Sequence, residues 1–462
     1  MSSFSFPYPF FPVQFTKDGV VFQQPDVDAL MGGFHAGVTD LFVISHGWNN
    51  NMDDATNLYS GLCAQVAAQI AGVPSLKGRI FVICGILWPS MKFEDQDLIP
   101  GGAASLNDAV SKDQLRARVR DLADLIQGKG WPMEAPDPAV ESALGSVQQS
   151  VGDWEDDPSV RENVVTVIRG LLPARSADAE DASDRFLSMK ADLLITNLSR
   201  SLNPPQNVPQ GASAASLDPF SSGPVSGLGG AAGFRDVLGG VQSAFLHLLN
   251  FTTYYLMKAR AGDVGVKGVK PLIEAIRGLR PDLRLHLIGH SFGCRVVTSA
   301  VNALAGGDQL RPNTMTLLQG AFSHNGFASR FEGTNDGAFR QVVAQKKVRG
   351  PILITHTRND KAVGVAYPIA SRIAGQTASA LGDENDIYGG LGSNGAQTQV
   401  TTPERVTGTL LEVGGSYPFA PAATSSKPYN LKADAFIAGH SDIVNPQVGF
   451  AVAIGIGTAD AA

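Results

Sequence analysis

The chain has 462 residues, of which 44% are hydrophobic and 17% are charged, with a formal net charge of −7 at pH 7. These values are typical of a globular protein with a large core and exclude a wholly disordered chain. The negative charge argues against a nucleic-acid partner, which requires a basic surface, and no window approaches 18 consecutive apolar residues, so we expect no transmembrane segment.

The first fifteen residues, MSSFSFPYPFFPVQF, are rich in aromatic residues and proline. They lack the basic start and the long apolar stretch of a signal peptide. We expect the aromatic side chains to pack against the domain body, with a lipid-docking surface as the alternative. In the next segment, VQFTKDGVVFQQ, the pair Asp18-Gly19 separates two alternating runs and predicts a β-hairpin.

Five short apolar runs predict buried strands, at residues 40–46, 79–87, 283–289, 314–321 and 351–357. None alternates strictly between apolar and polar residues, which indicates strands covered on both faces of a parallel sheet. A sixth run, at 429–437, is more mixed and is expected near an edge. Helical patterns lie between the strands, at 53–72, 269–279 and 294–305. This alternation predicts an α/β fold with a doubly wound, mostly parallel sheet.

Two segments interrupt the alternation. Residues 95–249 carry acidic helical patterns and predict a mostly helical insertion or cap, with a flexible Pro/Gly/Ser-rich segment at 204–233. A second, loop-rich insertion is expected near 376–428. The α/β core would therefore comprise residues 1–94 and 250–462.

The three cysteines, Cys63, Cys84 and Cys294, are widely spaced within apolar stretches. This spacing fits neither a disulfide framework nor a zinc site, and it predicts a reduced, cytoplasmic protein. His286 and His290 are four residues apart on a predicted strand, about 13 Å along it, which is too far for a metal pair. We therefore expect no metal.

The segment LHLIGHSFGCRVV, residues 285–297, contains the motif G-x-S-x-G around Ser291. With 51 glycines in the chain, a bare match has little weight. However, a predicted strand precedes Ser291 and a predicted helix follows it, as this motif requires. Gly289 and Gly293 have no side chains and allow the strand and the helix to approach closely around a strained serine. At this point the chain resembles the α/β-hydrolase superfamily, of serine esterase or lipase type.

A serine hydroxyl needs a base to remove its proton, and in this superfamily the chain order is serine, acid, histidine. Three of the eight histidines follow Ser291. His356 lies inside a predicted strand and His324 just after one, and neither has a strand-end carboxylate between itself and the serine. His440 follows the last strand-like segment, where the superfamily has its base. The resemblance therefore implies that His440 is the base.

The third member should be a carboxylate that orients the imidazole. Asp360 follows the predicted strand at 351–357 and is expected at the same sheet edge as Ser291. A helix cap is the alternative role for Asp360. The other candidates lack a preceding strand or lie only two residues from His440; they are Asp383, Glu384, Asp386 and Asp442.

A tetrahedral intermediate also needs hydrogen-bond donors for its oxyanion. One would be the backbone N–H of Phe292, directly after the serine. The resemblance implies a second donor in the loop after an early strand, where His46-Gly47-Trp48 is similar to the oxyanion loop of lipases and esterases. The N–H of Trp48 is the candidate, and His46 is interpreted as a packing or hydrogen-bonding residue.

The resemblance covers residues 35–95 and 245–450, through the segments HGWNN, LWPS, GHSFG, HTRNDKAVG and YNL…GHSDI, which are similar to those of bacterial esterases. It implies cleavage of a small-molecule or lipid ester through an acyl-enzyme, without a cofactor. Thioesters, amides and peptides stay open as substrates.

Two other functions remain as alternatives: a membrane-acting lipase or phospholipase with peripheral membrane contact, and a binding scaffold that has lost catalysis. The apolar segment 245–257 is interpreted as a buried core helix or, alternatively, as the wall of an acyl pocket. The sequence does not indicate an oligomeric state.

Overall fold

A single sheet of eight strands organises the computed structural model. The structure describes residues 4–48, 50–90, 111–128, 131, 137–173, 178–199, 241–331, 333–360, 387–398, 404–420 and 427–459. The strands are β1 (Phe10–Gln14), β2 (Asp40–Ser45), β3 (Phe81–Leu87), β4 (Arg284–His290), β5 (Thr314–Leu318), β6 (Ile352–His356), β7 (Val406–Thr409) and β8 (Pro428–Lys432). Their order is β1-β3-β2-β4-β5-β6-β8-β7, and every pairing is parallel. The predicted α/β architecture with a parallel sheet is thereby confirmed.

Helices connect the strands and flank the sheet. They are α1 (Gln24–Gly32), α2 (Met52–Ile70), α3 (Lys112–Gln127), α4 (Pro138–Ser150), α5 (Pro158–Gly170), α6 (Ser183–Ser188), α7 (Ala191–Leu198), α8 (Val241–Asp263), α9 (Lys270–Leu279), α10 (Phe292–Ala303), α11 (Arg340–Ala344), α12 (Leu391–Asn394) and α13 (Pro446–Ala459). A π-helical segment, Val264–Val269, joins α8 to α9.

Helices cover both faces of the sheet, as the alternation of side chains along β2 shows. Leu41 and Val43 belong to one apolar cluster, which includes residues of α1 and of α3 to α10. Phe42 and Ile44 belong to a second cluster, formed mainly with α2 and α13. Successive side chains of a strand point to opposite faces, so the two clusters are the two sides of the sheet. Burial on both faces explains why the strands lack a polar alternation.

Two of the eight strands, β1 and β7, lie outside the six strand runs predicted from the sequence. β1 contains Pro12 and lies at one edge of the sheet, where a missing N–H is tolerated. β7, at the other edge, has four residues and is too short to give a pattern. The strand predicted at 429–437 is β8, which lies between β6 and the edge strand β7. The hairpin predicted around Asp18-Gly19 is reduced to a single antiparallel bridge, between Phe15 and Val21.

The described part of residues 95–249 contains α3 to α7 and the start of α8, and it contains no strand. Its apolar side chains join the same cluster as one face of the sheet. The division into a core and an insertion stays a prediction, and the segment 204–233 lies outside the described residues. In the predicted loop-rich region 376–428, the described residues include α12 and β7.

The segment 245–257 lies within α8, and most of its apolar side chains are buried. Its Tyr254 ring centroid is 5.5 Å from that of Phe292, next to Ser291. At the N-terminus, the rings of Phe6 and Phe10 stack at 4.0 Å and pack against the second apolar cluster. No helix among the described residues combines the length and the apolar character needed to cross a membrane.

Candidate active site

Four loops at one edge of the sheet carry the residues singled out in the sequence. Gly47 and Trp48 follow β2, Ser291 follows β4, Asp360 follows β6, and His440 follows β8. Because the strands are parallel, their carboxyl ends share one edge, which is where open α/β sheets bind ligands.

The turn between β4 and α10 holds Ser291 in a strained conformation, with φ 55° and ψ −124°. A non-glycine residue in such a region costs about 1–3 kcal/mol and persists only where its surroundings impose it. Here the Ser291 N–H donates to the carbonyl of Leu318 at 3.1 Å. The Ser291 carbonyl accepts from the N–H groups of Cys294 and Ala321, both at 3.1 Å. These bonds fix the turn against the end of β5.

Three glycines allow the chain to pack closely around this serine. A Cβ on Gly289 would lie 2.5 Å from the Cα of Cys294, and a Cβ on Gly293 would lie 2.1 Å from the carbonyl oxygen of Ser45. Both contacts are with backbone, so neither can be relieved by a side-chain rotation. On the facing loop, a Cβ on Gly47 would lie 2.4 Å from the Cβ of Ser291. The sequence predicted the need for glycine at positions 289 and 293 but not the contact between Gly47 and Ser291.

Ser291, His440 and Asp360 form a continuous chain of hydrogen bonds. The Oγ of Ser291 is 2.8 Å from Nε2 of His440, and Nδ1 of His440 is 2.8 Å from Oδ2 of Asp360. An ionised carboxylate can only accept, so Nδ1 carries the ring proton and Nε2 accepts from the serine hydroxyl. The structure thus brings together three residues that are 69 and 80 positions apart along the chain.

Side-chain hydrogen bonds connect the loop that carries Asp360 to the loop that carries His440. The Nδ2 of Asn359 donates to the carbonyls of Asp434 (3.1 Å) and Ile437 (2.9 Å). The hydroxyl of Thr357 donates to Asp434 Oδ1 at 2.9 Å. These contacts fix the spacing of the two loops and hence of the acid and the histidine.

His290 packs against His440. Its Nε2 donates to the carbonyl oxygen of His440 at 3.0 Å, and the two ring centroids are 5.0 Å apart. Burial and the neighbouring His440 lower the pKa of His290 to about 3. His290 therefore stays neutral at physiological pH and supports the backbone of His440 without adding charge.

His46 is a buried hydrogen-bonding residue, as the sequence indicated. Its Nε2 accepts from the N–H of Trp88 at 3.3 Å, so Nδ1 carries the proton and donates to the carbonyl of Gly47 at 2.8 Å. Its ring stacks on that of Trp88, with centroids 5.4 Å apart. Burial lowers the pKa of His46 to about 4, and the ring remains neutral.

Of the two expected oxyanion donors, Phe292 directly follows Ser291, and Trp48 directly follows Gly47 on the facing loop. Phe292 is the first residue of α10, so its N–H has no acceptor within the helix. The carbonyl of Gly47 also accepts from Nδ2 of Asn50 at 3.3 Å. The carbonyl of Gly47 and the N–H of Trp48 belong to one trans peptide and point in opposite directions. The N–H of Trp48 therefore points away from the His46 and Asn50 side chains that bind this carbonyl. The Trp48 and Phe292 rings meet edge to face at 6.3 Å.

The other candidates have different surroundings. Nδ1 of His324 is 3.2 Å from the amide of Asn394, and Nδ1 of His356 is 3.4 Å from the carbonyl of Ser393. Asp442 accepts from the N–H of Ala438 at 2.9 Å in its own loop. Asp383, Glu384 and Asp386 lie outside the described residues.

His286 lies away from His290, near the opposite end of β4. Its Nε2 is 2.9 Å from Asp40 Oδ1, and its Nδ1 is 2.9 Å from the hydroxyl of Thr314. The two histidines do not share a site. Across the described ranges, no three His, Cys, Asp or Glu side chains are grouped so that they could hold a metal ion.

The sequence reasoning also missed Gln319, whose amide lies against Asp360. Its Nε2 is 3.1 Å from Asp360 Oδ2, the oxygen that faces His440. The only sequence signal is its position at the end of a strand, before Gly320.

Comparisons with models of protein families, with curated proteins and with solved structures found no match.

Proposed function

We propose that this protein is a serine hydrolase that cleaves carboxylic esters through an acyl-enzyme. The observation that carries the proposal is the hydrogen-bonded chain from Ser291 through His440 to Asp360, with both bonds at 2.8 Å and the serine in a strained turn. A nucleophile, a base and a group that orients the base are the parts that acyl transfer requires.

In the first half of the reaction, the Oγ of Ser291 attacks the acyl carbon while Nε2 of His440 takes the hydroxyl proton. The imidazolium that forms is stabilised by Asp360. The carbonyl oxygen becomes an oxyanion, and the backbone N–H groups of Phe292 and Trp48 donate hydrogen bonds to it. The intermediate then collapses, the C–O bond to the alcohol breaks, and His440 returns the proton to the leaving oxygen.

In the second half, a water molecule attacks the acyl-enzyme and gives its proton to His440. The second tetrahedral intermediate expels Ser291, which recovers a proton from His440, and a carboxylic acid is released. His290 remains neutral beside His440, so no second positive charge opposes the imidazolium.

We further propose that the chain is a member of the α/β-hydrolase superfamily. The support is the strand-serine-helix turn after β4 and the order serine, aspartate, histidine at the ends of three strands. We propose a cytoplasmic setting, in which thiols stay reduced, because Cys63, Cys84 and Cys294 are free and buried. The N-terminal aromatics pack on the core and do not favour the membrane-acting lipase.

The decisive experiment is labelling with a fluorophosphonate probe, which modifies only activated serines. Wild type is compared with Ser291→Ala, and the modified residue is identified by mass spectrometry. We expect labelling at Ser291 that is lost in the variant. No labelling of a folded wild-type protein would favour the alternative of a binding scaffold.

A chain-length series of p-nitrophenyl esters then defines the acyl group. α8 lies close to the serine through the contact of Tyr254 with Phe292. Tyr254→Ala is expected to change the preferred chain length if α8 lines the acyl site. An unchanged preference would leave this helix with a purely structural role.

A further inference from the structure

Gln319 lies in an unfavourable conformation at the end of β5. It is fully buried, and its backbone has a φ of 48°, in the left-handed region that favours glycine. The expected strand 314–321 ends at Leu318 because the chain turns at this residue. Backbone strain of this kind persists only where the surroundings impose it, and it is concentrated at functional sites.

The side chain adds a second unfavourable feature. Its Oε1 has no hydrogen-bond partner among the described residues, although it is buried. Reversing the amide would not help, because Nε2 donates to two acceptors, Oδ2 of Asp360 and the carbonyl of Gly392, both at 3.1 Å. An apolar side chain of the same size would avoid the unsatisfied oxygen but would not donate to Asp360.

The contact with Asp360 is at the atom that matters for the proposed reaction. Oδ2 of Asp360 accepts both from Nε2 of Gln319 and from Nδ1 of His440. Gly392 encloses Oδ2 of Asp360 on another side, because a Cβ added at Gly392 would lie 2.9 Å from this oxygen. The N–H of Gly392 donates to the carbonyl of Gly320 at 2.9 Å, so Gln319 and Gly392 belong to one hydrogen-bonded unit.

We propose that Gln319 is a positioning residue that holds the Asp360 carboxylate with Oδ2 directed at His440. This inference rests on the proposed function. A neutral amide suits the role, because it directs the carboxylate without forming an ion pair that would compete with the imidazolium. The strained backbone is retained because it places the amide over Asp360.

The test is Gln319→Met, which keeps the length of the side chain and removes both the donor and the unsatisfied oxygen. The activity of the full chain is measured on the best p-nitrophenyl ester. We expect kcat to fall about 10- to 100-fold at unchanged KM, because a small misplacement of a catalytic group has effects of this size. The urea midpoint should be equal to or higher than that of wild type.

A spectroscopic readout separates positioning from stability. The proton on His440 Nδ1 should give a low-field proton resonance that is lost in Asp360→Asn. In Gln319→Met we expect this resonance to shift or broaden. If this variant does not fold, Gln319→Leu makes the same test, since leucine also lacks the donor and is smaller than methionine.

The matched control is Gln345→Met, the same substitution at an exposed glutamine that directly follows α11. The amide of Gln345 donates to Oε1 of Gln341 at 3.0 Å, so this variant removes an amide donor that is not in contact with Asp360. Its kcat and resonance should match those of wild type. If Gln319→Met keeps the kcat and the resonance of the wild-type protein, and the wild-type protein is labelled at Ser291, this inference alone is overturned. A wild type that is not labelled would instead overturn the proposed function.

Discussion

Replacement of Gly47 by alanine tests how tightly Ser291, the proposed nucleophile, is confined. The new Cβ would lie 2.4 Å from Cβ and 2.9 Å from Oγ of Ser291. The backbone of Gly47 is not in the left-handed region, so alanine is compatible with its conformation and only the contact is changed.

The size of the effect follows from these distances. Carbon atoms in contact are normally about 3.5–4.0 Å apart, so the two loops must separate by about 1 Å. Overpacking of this kind costs about 1–3 kcal/mol of stability, and a displacement of about 1 Å at a catalytic group lowers the rate about 100-fold. Ser291 cannot turn away readily, because its backbone is hydrogen-bonded on both sides.

The assay is the second-order rate constant for fluorophosphonate labelling, with urea unfolding as the measure of stability. We expect Gly47→Ala to be folded and labelled about 100-fold more slowly. Gly145→Ala is the control, because Gly145 lies within α4 and, apart from its chain neighbours and the backbone of that helix, no described atom lies within 4 Å of the added Cβ. It should be labelled normally and be about 0.5–1 kcal/mol more stable. Labelling of Gly47→Ala at the wild-type rate would refute the reasoning that this loop confines the serine.

Three further outcomes follow from buried titratable groups. Asp360→Asn should be folded and labelled about 10⁴-fold more slowly, because an amide allows the wrong tautomer of His440; a loss of less than tenfold would remove Asp360 from the proposed mechanism. The pKa values of His46 and His290 are lowered to about 4 and about 3 by burial, so the unfolded state binds more protons below pH 6.5 and stability should fall by about 2 kcal/mol per histidine at pH 5. Urea unfolding at pH 7.5 and pH 5 measures this loss, which should be smaller in His290→Gln. Burial raises the pKa of Glu180 to about 8, so folding retains its proton and stability should fall as the pH rises from about 4.5 to 8. Glu180→Gln, which can still accept from the N–H of Ala338, should be more stable than wild type at pH 9, and a less stable variant would contradict this account.

The sequence alone predicted the local parts of the molecule. A buried strand followed by a glycine, a serine and an apolar helix is specified within about twenty residues, because strand, turn and helix preferences act over short distances. Ser291, Gly289 and Gly293 could therefore be placed correctly on their elements. Asp360 could be placed at a strand end by the same local reasoning.

Only the tertiary structure decided which of these parts meet. The separations between Ser291, Asp360 and His440 depend on the strand order and on loop contacts such as that of Asn359 with Asp434. The amide of Gln319 and the Gly47 contact have no local signal, because each acts on a residue from a distant part of the chain. The edge strands β1 and β7 were missed for a related reason: a short strand at the edge of a sheet is specified by the neighbour it pairs with, and that neighbour is chosen by packing across the whole sheet.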